Sequence, residues 1–381
     1  METSRKAITC LVASVALACL VSCLPSTKMA GEASTQASAD NCGDTIPMHY
    51  ARNLQLISHD GYLEAVMLNP WDSTRILHRY YLGKADSLPA EAKEATLVAT
   101  PLRCAAVFTS VHCALLQELG CQEAIGGVCE LEYIHLPYVQ EGVREGRIAD
   151  LGNGMQPNIE RIIQLKPDAL MPTPFEHSGG YGRIERMGIP IIECADYMES
   201  SPLARAEWVR FYGRLFGRAA EADSLFLAVE RDYLSLAARA AETDFRPRMI
   251  CEIPQSGYWF MPAGQSTMGQ LYANAGAHYL FDDLKGAGSV SLGIERVLER
   301  AVSADVWIIK QNGELKRRQL IADYPALRRI PARIWCCDLS TSQFYEETPF
   351  HPELLLEDLL SVLHPELGIV PRKKYYFEVS E

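Results

Sequence analysis

The 381-residue chain has no excess of basic residues: 36 Lys and Arg stand against 48 Asp and Glu, for a formal net charge of −12 at pH 7. A surface built for phosphate backbones normally shows as a basic excess, so the balance argues against a nucleic-acid partner. Long apolar runs are scarce too. The stretch 7–21, at about fifteen residues, is short for a bilayer span. The sequence contains no HExxH, no P-loop, no GxSxG, no dinucleotide fingerprint and no CxxC pair. Gly179-Gly180-Tyr181-Gly182 lacks the Lys of a phosphate loop and reads as a turn at a cleft edge. Glu130 and Glu132 alternate in a loop pattern, where acids are solvated more often than paired for catalysis. What is present is ordinary globular material, 48% hydrophobic, 22% charged and 9% aromatic. The length has room for about two domains of roughly 100–200 residues.

Arg5 and Lys6 precede the apolar stretch 7–21, the layout of a secretory signal. Leu20-Val21-Ser22-Cys23 resembles a bacterial lipobox, which makes residues 1–22 the signal and Cys23 the acylated first residue of the mature chain. Cys19 is a weaker competitor. Residues 23–45, small and polar over 28–40, are expected to be a flexible tether. Removing Cys10 and Cys19 with the signal, and committing Cys23 to lipid, leaves an odd number of thiols. Most stand among Ala, Val and Ile, where cysteine is a small buried apolar residue. One disulfide among Cys104, Cys113, Cys121 and Cys129 is the alternative in an oxidising compartment.

Residues 46–95 open with alternating and aromatic positions around the turn His59-Asp60-Gly61, a hairpin or pair of edge strands that forms an N-terminal extension. Residues 96–201 then alternate short apolar strands with helices, an α/β lobe with a mainly parallel sheet. Pro202 is the last proline before a stretch with helical spacing to residue 242, including Trp208, Phe211, Leu215, Phe226, Val229 and Tyr233. Read as one helix it would run about 60 Å at 1.5 Å per residue, with Gly213 and Gly217 as bend points. Residues 243–381 resume the alternation as a second lobe. A short repeat links the lobes. Ile159-Glu160-Arg161-Ile162-Ile163 precedes Asp168 and an apolar strand, and Ile294-Glu295-Arg296-Val297-Leu298 precedes Asp305 and another. The fold class expected is α/β: two Rossmann-like lobes joined by a single long helix, with the ligand cleft between them.

These passages resemble the class III, helical-backbone substrate-binding proteins of ABC importers, which capture iron–siderophore complexes, haem and cobalamin. Residues 103–126 (RCAAVFTSVHCALLQELGCQEAIG) are similar to the first strand and helix of that family. Residues 157–171 (PNIERIIQLKPDALM) are similar to its helix with an N-terminal Glu followed by Leu-Lys-Pro-Asp. Gly188-Ile189-Pro190-Ile191 and residues 257–281 also resemble family segments. The resemblance implies an envelope protein without chemistry of its own, facing the periplasm or exterior. It also implies a monomer with an ABC permease and its ATPase as partners and a membrane lipid anchor. One glutamate per lobe, Glu160 and Glu295, would dock on the permease, and small lobe movements would accompany binding. A favourable charge in a helix first turn is the plainer reading of both acids.

Ligand residues are expected in the loops at the carboxyl ends of the strands. Those loops concentrate Tyr133, His135, Tyr138, Phe175, Glu176, His177, Tyr258, Trp259, Phe260 and Phe344. Aromatic walls with few polar tips suit a bulky chelate, because rings supply area at little entropic cost. No cofactor is held permanently in this reading; the ligand is an iron- or cobalt-containing chelate. His135, His177 or Tyr133 could fill an open axial position on its metal, although a loop histidine is more often solvated. The loops have no arginine cluster, which weakens the case for a strongly anionic siderophore. A chelatase-like enzyme handling a tetrapyrrole between two α/β lobes is the alternative, distinguished by turnover.

Overall fold

Residues 54–82 pair into a sheet in the computed structural model, which describes residues 43–89, 95–175 and 181–380. Strands β1 (Asp44–Ile46), β2 (Leu54–Ser58), β3 (Tyr62–Asn69) and β4 (Asp72–Gly83) are antiparallel neighbours, and β5 (Thr96–Ala99) lies parallel to β4. The expected hairpin is therefore a five-stranded sheet. It takes Asp44 and Thr45 from the expected tether and residues 96–99 from the expected lobe. Leu54 and Leu56, Ala65 and Met67, Tyr80 and Leu82 are buried at every second position, as one dry sheet face requires.

Two buried carboxylates fasten this sheet to the rest. Glu207 accepts the backbone N–H groups of His49, Tyr50 and Ala51, each at 2.8 Å. Glu199 accepts those of Arg52 at 3.1 Å and Asn53 at 2.9 Å, and the Trp208 indole N–H at 2.9 Å. Burial raises the Glu199 pKa, with these donors acting against it. A segment nested on charges in this way is part of the fold.

The first lobe runs β6 (Ala105–Val107), α1 (Ser110–Glu118), β7 (Ile125–Val128), α2 (Pro137–Arg144), β8 (Ala149–Asp150), a small hairpin of β9 (Gly152–Asn153) and β10 (Gln156–Pro157), α3 (Ile159–Leu165) and β11 (Ala169–Met171). Its parallel sheet has the order β11-β6-β7-β8. Every residue of β6 and β11 is buried, as in strands covered on both faces. Thr109 caps α1, and Asn158 caps α3 by accepting the Arg161 N–H at 3.0 Å. Lys166, at φ 52°, ends α3 ahead of Pro167.

The rod expected over residues 202–242 is broken into α4 (Pro202–Glu207), α5 (Val209–Leu215) and α6 (Ala219–Ala241). Gly217 adopts φ +70°, and the Arg218 N–H returns to the Gly213 carbonyl at 2.7 Å, a left-handed helix stop that a glycine permits. A Cβ on Gly213 would lie 2.3 Å from that of Ala222, so α5 and α6 meet at this glycine. The connector is α6, about 34 Å long at 1.5 Å per residue. It buries Ala222, Phe226, Val229, Tyr233, Leu236 and Ala240, a single stripe at helical spacing.

The second lobe contains β12 (Arg248–Cys251), β13 (Pro254–Gln255), β14 (Tyr258–Pro262), α7 (Thr267–Asn274), β15 (His278–Tyr279), β16 (Ser289–Gly293), α8 (Ile294–Ala301), β17 (Val306–Gln311), α9 (Arg317–Asp323), β18 (Arg333–Asp338), α10 (Phe344–Glu347), α11 (Pro352–Leu363) and β19 (Phe377–Glu378). Its main sheet, β15-β12-β17-β18-β19, is parallel except for β19, and β13-β14-β16 form a small antiparallel sheet. The repeat has a structural meaning. Asp168 accepts the Arg103 and Cys104 N–H groups at 2.6 and 2.9 Å, just before β6. Asp305 accepts the Arg248 N–H at 2.9 Å, at the start of β12. Each lobe thus clamps its first strand to the strand that follows the repeated helix. The fold is the two-lobed α/β architecture with parallel sheets. Among the described residues no helix is long and apolar enough to cross a membrane.

Candidate functional site

At the carboxyl ends of β6, β7 and β11 the first lobe opens into a cavity of about 570 Å³. That volume lies within the range of small-molecule pockets. Phe108 and Thr109 reach it from the end of β6, Glu130 from the end of β7, and Pro172, Thr173 and Phe175 from the end of β11. The β9–β10 hairpin adds Met155 and Gln156, and Tyr181 and Ile184 close the far wall. Glu130 is its one charged lining residue among those described, and neither Lys nor Arg lines it.

The rim is built by backbone geometry. Glu130 sits at φ 54°, a left-handed conformation rare for a side chain of its size. Its N–H donates to the Gly152 carbonyl at 2.9 Å, and its Oε1 accepts the Gly154 N–H at 2.7 Å. One residue thereby fastens the end of β7 to the hairpin. The Tyr181 hydroxyl donates to Glu193 Oε1 at 2.8 Å, and burial together with this carboxylate pushes its phenol far above the ordinary range. The Tyr197 hydroxyl donates to the Pro174 carbonyl and holds the loop that carries Phe175.

Of the ligand residues expected from sequence, Phe175 alone among those described lines this cavity. Tyr133 and His135 follow Glu130 on the same loop and are exposed because Ile134 and Leu136, alternating with them, are buried. The Gln140 amide pins that loop by donating to the Leu131 and Ile134 carbonyls. His135 lies within electrostatic reach of Glu346 on α10, so this loop faces the second lobe. Glu176 and His177 lie outside the described residues, as does Cys23.

Three expectations are corrected. Tyr138 is half-buried on α2 beneath the Arg147 guanidinium, 5.2 Å from its ring centre, and does not line the cavity. Trp259 is fully buried in the second lobe, its indole N–H donating to the Cys251 carbonyl at 3.0 Å and its ring 5.6 Å from Trp307. Phe344 is buried edge-on against Tyr375 and Tyr376. Tyr258 and Phe260 flank Trp259 on β14 and are exposed, as strand alternation dictates. They are away from the first-lobe cavity lining.

In the second lobe the corresponding strand ends hold an ion pair. Lys310, near the end of β17, bonds Glu252, which follows β12 at φ 61°. Burial works against the lysine charge, yet Glu252 keeps its pKa raised. The Glu252 carbonyl accepts the Trp307 indole N–H at 2.8 Å. Sequence reasoning missed this pair, and it weighed Glu130 only as a solvated acid. The available signal was position, since each glutamate comes immediately or within two residues after an apolar strand.

Glu160 and Glu295 are exposed in the first turns of α3 and α8. The eight described cysteines are free, and Cys113, Cys129, Cys194, Cys251, Cys336 and Cys337 are buried; burial pushes the Cys129 and Cys251 thiols up to about 12. Among the described residues no cluster of three or more His, Cys, Asp or Glu could cage a bare ion.

A family model described as periplasmic binding protein matches residues 106–334. An uncharacterized lipoprotein of Methanocaldococcus jannaschii is 24% identical over 87% of this chain and 84% of its own length. Among solved structures, a periplasmic haem-binding protein from Pseudomonas aeruginosa superposes with a TM-score of 0.55 at 16% identity, covering 74% of this chain and 99% of that one. A siderophore-binding protein from Vibrio cholerae, solved with Fe3+–Desferal, gives a TM-score of 0.51 at 17% identity over 68% of this chain and 99% of that one. At these identities the likeness is one of fold.

Proposed function

The chain belongs to the periplasmic binding protein family, and from that premise we propose that it captures a metal chelate outside the membrane and hands it to an ABC permease and its ATPase. The ligand class is an iron–siderophore complex, haem or a corrinoid. The observation that carries this reading is the apolar and aromatic cavity at the first-lobe strand ends, with Glu130 and no basic side chain in its described lining. Phe108, Phe175 and Tyr181 offer faces to a large flat or rounded ligand. A site without Arg or Lys has nothing to neutralise a polyanionic chelate, so neutral or cationic complexes are favoured.

Cys23 is the acylated residue in this reading, in keeping with the lipoprotein name of the archaeal relative. Glu160 and Glu295 are the permease contacts. Exposed first-turn carboxylates act through orientation and encounter rate as much as through affinity. The test is a thermal-shift panel of the purified protein with haemin, cobalamin and ferrioxamine. A true ligand at 100 times its Kd stabilises the folded state by about 2.7 kcal/mol. No shift with any of the three would count against the reading.

A further inference from the structure

Large apolar side chains lie exposed beside both acids of the repeated helices. In the second lobe Tyr258 and Phe260 are 56% and 44% exposed on one face of β14, with Trp259 between them buried on the other. Their cross-strand partners on β16 are Gly293 and Ser291, and directly opposed residues of an antiparallel pair share a face. Both partners are small and leave the rings uncovered on that side. A Cβ on Gly293 would lie 3.8 Å from Glu295 Oε2, so the carboxylate borders the face that carries Tyr258. In the first lobe Ile163 is 54% exposed on α3, three residues after Glu160 and therefore on the same side of the helix. The neighbouring Ile162 already supplies the buried contact of that helix.

Neither acid has an ion-pair partner among the described residues; Arg161 pairs with Asp150 at 3.4 Å and Arg300 with Asp283 at 2.6 Å. Ile163, Tyr258 and Phe260 do not line the chelate cavity. Exposed hydrocarbon at the edge of an unpaired carboxylate is the composition of a protein interface, where buried rings supply affinity and charge fixes register. The combination occurs once in each copy of the repeat, so its complement, a basic side chain beside an apolar recess, must be offered twice. A two-fold-symmetric partner does that. We propose that Ile163 in the first lobe and Tyr258 and Phe260 in the second are the apolar anchors of a docking surface for a partner with two equivalent halves, each half bringing a cation to Glu160 or Glu295 and an apolar recess to the side chains beside it. This rests on the permease reading above and names contacts that the glutamates alone do not supply. Two rings bury more area than one isoleucine, so the second lobe holds the partner more tightly.

The test is photo-cross-linking of the full chain in cells, with p-benzoylphenylalanine placed in turn at Ile163, Tyr258, Phe260, Glu160 and Glu295, and at Leu227 on the exposed side of α6 as a control. Adducts are identified by mass spectrometry. An ABC permease subunit is expected from Ile163, Tyr258 and Phe260 and not from Leu227. With the probe at Ile163, Tyr258→Ser together with Phe260→Ser should lower the permease adduct about tenfold, as loss of central interface rings does. Permease adducts from Glu160 and Glu295 but none from Ile163, Tyr258 or Phe260 would overturn the anchors and leave the permease reading standing; none from any of the five would overturn both. An unchanged Ile163 adduct in the double variant, or adducts from Tyr258 and Phe260 to a second copy of this chain, would also overturn the proposal.

Discussion

The two lobes share one unit and use it differently. In each, a helix carrying an acid in its first turn leads to an aspartate that clamps the lobe's first strand, Asp168 before β6 and Asp305 at β12. Past that clamp the strand ends diverge. In the first lobe they open into a cavity, with Glu130 turned back onto its own hairpin. In the second they carry the Lys310–Glu252 pair, with Phe344 beside the lysine at 5.9 Å. Phe175 stands at the open end, while Trp259 and Phe344 are core. The same supersecondary unit carries different side chains at its strand ends, and the loops after the strands decide which.

The sharpest way to break this comparison is to truncate one aromatic from each side. Trp259→Ala should cost about 3–5 kcal/mol of stability in urea unfolding, as loss of a buried ring does. Phe175→Ala should change stability by only about 0.5 kcal/mol but weaken chelate binding about tenfold, near 1.4 kcal/mol. A small cost at Trp259 would mean that its ring is not part of the second-lobe core.

Packing at the connector gives the next largest effect. Gly213→Ala places a methyl group against Ala222 and the Arg218 carbonyl, and overpacking of this kind costs about 1–3 kcal/mol, measurable as a lower denaturation midpoint. The clamps share their backbone contact, and Asp305 also takes the Arg248 guanidinium at 3.0 and 2.8 Å. Asp168→Asn and Asp305→Asn should each cost about 1–2 kcal/mol, toward the low end because both carboxylates are partly exposed. No loss in one of the two variants would show that the repeat is sequence likeness without shared mechanics.

The buried charge of the first lobe titrates in its own window. Burial opposes the His112 imidazolium, yet Cys194 and Asp196 beside it hold its pKa up at about 10. Burial would also raise Asp196, but His112, Arg205 and the Tyr212 hydroxyl reverse this and hold it well below the carboxylate range. The His112 contribution is complete below its unfolded value, near 6.5, and is lost as pH rises through about 10. The Asp196 contribution is present above about 4 and is lost as pH falls toward its depressed folded value. The contribution of this pair should therefore be flat between about 4 and 6.5, and His112→Ala should remove part of the alkaline fall, which His351, also held up at about 10, shares. The smallest stability effect belongs to Glu160→Arg with Glu295→Arg, about 0.3–1 kcal/mol each from helix-end charge. That double variant should bind ligand normally and abolish uptake in cells.

Much of the architecture was legible in the sequence. The repeat, the strand–helix alternation and the first-turn acids all rest on local signals, and local signals survive folding. The misplaced residues failed for long-range reasons. Tyr258, Trp259 and Phe260 alternate on one strand, and nothing local says which face of β14 meets Trp307. Phe344 is covered by Tyr375 and Tyr376 from the far end of the chain. The rod was overread because apolar spacing continues through Gly217, whose left-handed turn interrupts the helix without disturbing the pattern. Glu130 gives no sign of its backbone conformation, which the hairpin twenty residues later imposes.

Absorbance titration of the protein and of Thr173→Trp, which fills the first-lobe cavity, decides whether that cavity holds a chelate. A 1:1 complex with haemin, cobalamin or ferrioxamine is expected, weakened at least tenfold in the variant while it keeps its fold. Equal binding by a folded variant would contradict it.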